Sequence, residues 1–287
     1  MAKFIPDVKS KRWVVIASER AVRPFERKGK GKREGLVFKK GYWYLRTCPF
    51  CLGNENKTPP EIYRWKNRSD NSYWSVRVVP NRYPITDCHE VIIHSPDHKK
   101  DIVDLSLSHV EILLKVYRER YRILTKDGHV LICNNTGAAS GASLVHPHSQ
   151  VVVIPRQITL DVIPLEPCRN VVEENKYFTT YCPDFSQWPY EVWIAQTACL
   201  QGIHEDGCLF ETITDEQIKD LARILQNILR RLTKLFPSLS YNFYISPFPC
   251  WYLRIIPRLT ERAGFELGTG LHVNFVDPVK AAQDLRK

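Results

Sequence analysis

Seventeen residues, Asn134 to Gln150, concentrate the side chains most able to do chemistry: Asn-Asn-Thr-Gly-Ala-Ala-Ser-Gly-Ala-Ser-Leu-Val-His-Pro-His-Ser-Gln. Small residues together with Gly137 and Gly141 let a backbone approach a ligand closely and aim N–H groups at phosphate oxygens. His146, His148 and Gln150 then alternate into the apolar run Val151 to Ile154. In a strand that spacing puts all three on one face. A neutral imidazole is a competent nucleophile toward phosphorus near neutral pH, and an amide two residues on can donate to a phosphoryl oxygen as charge develops there. Far upstream, Cys48 and Cys51 sit at C-x-x-C spacing, which suits a metal, a redox pair or two plain thiols. Cys88, Cys133, Cys168, Cys182, Cys199, Cys208 and Cys250 are scattered and read as small buried side chains, and nine cysteines in this length are too dilute for a disulfide framework.

The elements that must position these residues occur twice. One unit runs from Asn81-Arg82-Tyr83-Pro84 to Ile154-Pro155-Arg156, and a diverged copy from Gln187-Trp188-Pro189-Tyr190 to Ile256-Pro257-Arg258. Each opens with a strand, Glu90 to Ile93 or Glu191 to Ala195, and continues to a helix start. Ser108 with Glu111 and Thr214 with Gln217 are capping-box patterns. Behind them Val110, Leu113, Leu114, Tyr117, Tyr121 and Leu124 recur at helical spacing, as do Ile218, Leu221, Ala222, Leu225, Leu229 and Leu232. Strands over Val130 to Asn134 and Tyr241 to Ile245 follow. The pattern predicts an α+β fold of two pseudo-symmetric halves, 1–166 and 167–287, each a mostly antiparallel sheet with a packed helix. Aligned at the Pro-Arg ends, Phe248, Cys250 and Tyr252 stand opposite His146, His148 and Gln150, so only the first half keeps the histidines.

Composition narrows the class. The 287 residues are 44% hydrophobic and 25% charged, which excludes global disorder, and carry a net charge of +10, which favours a polyanionic ligand. No apolar run is long enough for a membrane span or a signal peptide, so a cytoplasmic location is expected. Arg27, Lys28, Lys30, Lys32, Arg33, Lys39 and Lys40 make Glu26 to Gly41 a basic loop, without the strand-turn-helix context of a dinucleotide fingerprint.

His-Pro-His-Ser-Gln after Asn-Thr-Gly-Ala-Ala-Ser-Gly-Ala-Ser resembles the galactose-1-phosphate uridylyltransferase family of the histidine-triad superfamily. Arg20-Ala-Val-Arg-Pro24, Cys48-Pro-Phe-Cys51, Val78-Val-Pro-Asn81, Ser95-Pro-Asp-His98 and Ala263-Gly-Phe-Glu-Leu-Gly-Thr-Gly270 occur in the family's order and extend the resemblance over nearly the whole chain.

The resemblance implies double displacement on sugar phosphates. His148 would attack the α-phosphorus of UDP-glucose, release glucose 1-phosphate and pass the uridylyl group to galactose 1-phosphate, giving UDP-galactose. Gln150 and Ser143 match phosphate contacts. Arg20, Arg23, Asn81, Asn135 and Gly141 match nucleotide-pocket positions, and Phe265 and Glu266 face the hexose, contributed by the neighbouring subunit of a homodimer. Cys48, Cys51, His98 and His146 match the ligands of one structural zinc. Trp251-Tyr-Leu-Arg254 lies where the family's second set of metal ligands would be, so no second metal is expected. A nucleotidyl-sugar or dinucleoside-polyphosphate phosphorylase is the neighbouring alternative. A zinc-containing RNA-binding module would use the positive charge and aromatics but leaves the one-sided histidines unexplained.

Overall fold

The computed structural model describes residues 2–7, 12–18, 20, 36–39, 41–66, 74–160, 163, 165, 168–203 and 208–287. The chain divides into two units, one of residues 1–134 and 142–163, the other of 135–141 and 164–287. Arg23 and the glycine-rich part of the basic loop lie outside the described residues.

The first unit opens with two hairpins, β1 (Lys3–Asp7) with β2 (Arg12–Ile16), and β3 (Leu36–Lys39) with β4 (Tyr42–Leu45). Its main sheet comprises β5 (Tyr63–Lys66), β6 (Trp74–Pro80), β7 (His89–Ile93), β8 (His129–Thr136) and β9 (His148–Ile154). They run in the order β8-β9-β7-β6-β5 with every neighbouring pair antiparallel. Helix α1 (Leu107–Leu124) connects β7 to β8 and lies against β6 and β9. All six apolar positions read from the helical spacing are buried, joined by Val116 and Arg120. The cap differs from the expectation. Ser106, not Ser108, accepts the His109 N–H at 3.2 Å. Two serines two residues apart offer two starts, and the chain takes the earlier one, which lets Leu107 enter the first turn.

The second unit repeats this topology. Strands β10 (Val171–Glu174), β11 (Phe178–Tyr181), β12 (Val192–Gln196), β13 (Tyr241–Ile245) and β14 (Tyr252–Pro257) run in the order β13-β14-β12-β11-β10, again all antiparallel. The short α2 (Thr197–Leu200) ends β12, and α3 (Asp215–Leu235) crosses to β13, packing on β11 and on α5 (Pro278–Leu285). Between β14 and α5 lies α4 (Gly264–Thr269). The Thr214 capping box forms as read: its hydroxyl accepts from Gln217 N at 3.2 Å, and Gln217 Oε1 accepts from Thr214 N at 2.7 Å. The α+β architecture of two pseudo-symmetric, mostly antiparallel sheets with a packed helix is therefore what the chain adopts.

Each unit buries one carboxylate–guanidinium pair. In the first, Arg120 on α1 grips Glu90 through two bonds of 2.8 and 2.7 Å. In the second, Glu191 takes two from Arg254 at 2.7 and 2.9 Å and further donors from Trp193 Nε1 and the N–H groups of Gln187 and Trp188. A buried charge is tolerable only when saturated in this way.

Candidate active site and metal centre

After β4 the chain makes a tight knuckle. Cys48 N–H donates to Leu45 O, Leu45 N–H donates to Cys51 Sγ at 3.3 Å, and the Asn54 amide donates to the carbonyls of Leu45, Arg46 and Cys48. Gly53 at φ 86° closes the turn in a conformation that β-carbon-bearing residues resist. The knuckle holds both thiols beside two imidazoles from elsewhere in the sequence. Cys51 Sγ is 3.3 Å from His98 Nδ1 and 3.6 Å from His146 Nδ1, and Cys48 Sγ is 3.7 Å from His146 Nδ1. All four residues are buried, and their donor atoms lie within 4.8 Å of one another.

These distances match the edges of a tetrahedron around one ion, about 3.6 Å between sulfur and nitrogen for metal bonds of ordinary length. His146 Nε2–H donates to Ser95 O at 2.9 Å, which leaves the Nδ1 lone pair for a metal, and such outer bonds orient ligands. Cys48 donates to Cys51, which lowers the Cys51 thiol and raises Cys48. The buried Cys2His2 group can therefore bind a metal.

His148 opens β9 directly after this cluster. Its Nδ1–H donates to the backbone carbonyl of His146 at 2.8 Å, so Nε2 carries the lone pair. Only 8% of the residue is exposed, and it lines a cleft of about 420 Å³ with Phe50, Lys57, Asn81, Arg82, Tyr83, Ser143 and Gln150. Phe50 presents ring-edge contacts to both histidines, at 6.0 Å from His146 and 5.3 Å from His148. The expectation that His146, His148 and Gln150 share a face fails for His146. Strand alternation begins only at His148, and before it the Pro147 turn directs the His146 ring to the cysteines.

His89 was not singled out from sequence. Ile85 N–H donates to its Nδ1 at 2.9 Å, which fixes the proton on Nε2, and Nε2–H donates to Gln150 Oε1 at 3.0 Å. With its oxygen so held, Gln150 offers the NH2 end to a ligand. The available signal was alternation: His89 and Val91 share a face of β7, and Val91 pairs with Gln150. Behind His148, Ser149 Oγ lies 2.8 Å from His94 Nε2 and 2.5 Å from Tyr117 OH, while the Asn134 amide donates to the His148 carbonyl at 2.9 Å. Burial first, and the neighbouring imidazoles second, hold His94 well below the usual histidine range.

The other residues read from sequence fall as follows. Arg20 donates to the carbonyl of Tyr83, a cleft residue, at 2.6 Å. Asn135, Gly141, Phe265 and Glu266 belong to the second unit. There Asn135 accepts from the Asn242 amide at 2.6 Å, and Gly141 ends a short turn at φ 80°. Phe265 is exposed, and Glu266 caps α4 by accepting the Ala263 N–H at 3.0 Å.

Residues 64–154 match the family model "Galactose-1-phosphate uridyl transferase, N-terminal domain". An ADP-glucose phosphorylase of Arabidopsis thaliana is 25% identical, with 98% of this chain and 91% of the relative covered. A galactose-1-phosphate uridylyltransferase of Haemophilus influenzae is 26% identical over 82% of this chain and 76% of its own length. The crystal structure of an Arabidopsis thaliana ADP-glucose phosphorylase with bound ADP-glucose superimposes at a TM-score of 0.72, 24% identical, covering 100% of this chain and 99% of that one. A histidine that lines a cleft, set immediately after a Cys2His2 group on a duplicated antiparallel sheet, thus occurs in a chain similar to an ADP-glucose phosphorylase and to a galactose-1-phosphate uridylyltransferase. Over residues 64–154 the chain is similar to the galactose-1-phosphate uridylyltransferase N-terminal domain, and it is an enzyme of nucleotidyltransferase type.

Proposed function

We propose that the chain moves a nucleotidyl group from a nucleotide sugar through His148, with inorganic phosphate as the favoured acceptor. The position of the nucleophile carries this reading: Nδ1–H is committed to the His146 carbonyl, which leaves the acceptor lone pair on Nε2 of a residue that lines the cleft. Nε2 attacks the α-phosphorus, the bond from that phosphorus to the bridging oxygen breaks, and sugar 1-phosphate leaves with the electron pair. A phosphate oxygen then attacks the same phosphorus, the N–P bond breaks, and His148 returns to neutral as nucleoside diphosphate departs. Gln150 donates to the phosphoryl oxygen in both steps, and Lys57 and Arg82 in the cleft wall balance its charge. Ser143 and Asn81 line the same cleft and position the substrate phosphates and nucleoside. Cys48, Cys51, His98 and His146 hold a structural zinc, which would supply rigidity at the entry to β9.

Similarity to the phosphorylase over nearly the full length of both chains supports phosphate as acceptor. A hexose 1-phosphate is the second reading, supported by the matched family model and by Phe265 and Glu266, the positions that resemble hexose contacts. The sequence reading put uridylyl exchange with galactose 1-phosphate first; the order is now reversed. A two-fold dimer belongs to the same proposal, because Phe265, Leu267, Leu271, Val273 and Phe275 expose large apolar side chains along one segment that water covers poorly.

The test is intact-mass measurement after incubation with ADP-glucose or UDP-glucose alone. A nucleotidyl adduct with release of glucose 1-phosphate is expected, and phosphate should discharge it to nucleoside diphosphate. No adduct from either donor would refute the covalent mechanism. Discharge by galactose 1-phosphate and not by phosphate would select the second reading.

A further inference from the structure

The second unit contains another concentration of metal-competent side chains, far in sequence from the first. Cys199 on α2, Cys208 and Cys250 bring their sulfurs within 4.8 Å of one another, with Cys199 Sγ and Cys208 Sγ 2.9 Å apart. They come from three separate stretches of chain: the end of β12, the approach to the turn at Phe210–Thr212, and the turn that leads into β14. Cys199 and Cys208 are buried. Backbone geometry holds the third thiol there at a cost. Cys250 sits at φ 54°, in the left-handed region that residues with a β-carbon avoid, and its N–H is fixed to Cys208 O at 2.9 Å.

Gln196 adds an independent sign. Its Oε1 accepts from Cys199 Sγ at 3.5 Å, while its Nε2 is buried without a hydrogen-bond partner. An orphaned buried N–H group is costly, whereas an amide turned end for end would donate to a Cys199 thiolate and leave the carbonyl oxygen, not the N–H donor, unpaired. Burial disfavours free thiolates here, so a cation would be needed to hold the sulfurs deprotonated and give that amide donor a partner.

We propose that Cys199, Cys208 and Cys250 form a trithiolate site for a second Zn2+, separate from the Cys2His2 group of the first unit. A disulfide would join two of the sulfurs at about 2.05 Å and give the third no role. Thiolates sharing a tetrahedral zinc stand about 3.8 Å apart, so loading opens the Cys199–Cys208 contact by about 0.9 Å, within reach of small side-chain rotations. Binding releases the three thiol protons to solvent, leaves the ion's oxidation state unchanged and keeps one position for water. Soft sulfur donors select zinc over magnesium or calcium. The sequence reading expected one ion per chain because the positions after Cys250 lack ligands; the ligands here are the scattered cysteines themselves.

The full chain, expressed in zinc-supplemented medium without a metal-binding tag and kept reduced, is examined by native mass spectrometry. Two zinc ions per chain are expected, falling to one in Cys250→Ser and to one in Cys48→Ser. X-ray absorption of the wild type should give more than two sulfurs per zinc on average, a readout that does not depend on any variant folding. A single ion in wild-type protein with two sulfurs would overturn the proposal. A wild-type mass lower by two hydrogens, with Cys199 and Cys208 cross-linked in a peptide map, would overturn it in favour of a disulfide.

Discussion

Removing the metal from the Cys2His2 group should slow the formation of the nucleotidyl adduct without abolishing it. His146 links the two centres, since its ring faces Cys48 and Cys51 while its carbonyl accepts the His148 Nδ1–H at 2.8 Å. As Nε2 bonds to phosphorus the imidazole becomes cationic, and that hydrogen bond becomes charge-assisted, worth about 1.5–3 kcal/mol. Its complete loss would slow the step about tenfold to 150-fold. Loss should be partial. The His146 ring keeps its bond to Ser95 O and its edge contact with Phe50, and Asn134 still holds the His148 carbonyl. The expected reduction is therefore about tenfold, in the range seen when groups around a metal site are disturbed.

The assay is single-turnover quenched mass spectrometry in a Cys250→Ser background, which keeps only the Cys2His2 ion, on chelator-treated chain, zinc-reloaded chain and His148→Ala, with circular dichroism confirming that each is folded. Zinc should restore the rate, and His148→Ala should give no adduct. Stability gives a second readout: zinc at about 1,000 times its dissociation constant contributes about 4 kcal/mol. For a chain of this size that is about 8–16 °C in Tm. A folded metal-free chain that forms adduct at the native rate would refute the mechanical link through the His146 carbonyl. A folded metal-free chain as dead as His148→Ala would refute it in the other direction, because the ion would then act in the chemistry itself.

Glu191→Ala should cost about 3–5 kcal/mol in denaturant unfolding, since it strands the buried Arg254 guanidinium, and adding Arg254→Met should recover part of that loss; a cost under about 1 kcal/mol would contradict the saturated-pair account. His94 is held neutral in the fold, so the unfolded chain binds a proton that the native chain refuses; stability should fall as pH drops below about 6.5, approaching about 1.4 kcal/mol per pH unit for this group. In zinc-saturated His94→Gln that slope should be shallower, as unfolding midpoints between pH 7.5 and 5.5 would reveal. If the site is shared across a dimer, mixing His148→Ala with Glu266→Gln under subunit exchange should restore roughly a quarter of wild-type sites, provided each variant alone is inactive. Gln retains an acceptor for the Ala263 N–H, so the second variant keeps its helix cap. Exchange without recovered activity would count against a shared site.

What was legible in the sequence is what local periodicity controls. The apolar faces of α1 and α3, the Thr214 box and strand β13 follow from side-chain spacing alone. The failures are places where a neighbour in space decides. Ser106 outcompetes Ser108 as a cap because both hydroxyls are near the helix start and only one can be in register. His146 leaves the expected face because the Cys48–Cys51 knuckle about a hundred residues upstream offers its ring a partner. His89 reaches Gln150 only through strand pairing, which no local window contains. Cys199, Cys208 and Cys250, read singly as filler, converge only after β12 and β14 pair.

The asymmetry between the two units has a packing cause as well as a chemical one. The entry to β9 is His146-Pro147-His148 and the entry to β14 is Phe248-Pro249-Cys250, so the same turn is preserved around different side chains. In the first unit the strand face that follows stays open: Gln150 and Val91 line the cleft beside His148. In the second, Tyr252 stacks on Trp193 with ring centroids 4.0 Å apart, Arg254 fills the next position against Glu191, and its guanidinium also donates to the Tyr244 hydroxyl. Aromatic rings and a saturated ion pair occupy the surface that a nucleotide would need. Loss of the histidines and filling of the face are then mutually reinforcing, since a strand no longer required to leave room for substrate gains stability from every large side chain it can bury. The open face of the first unit is the cost of function, and the Arg120–Glu90 pair together with the Cys2His2 knuckle holds that unit's elements in place around it.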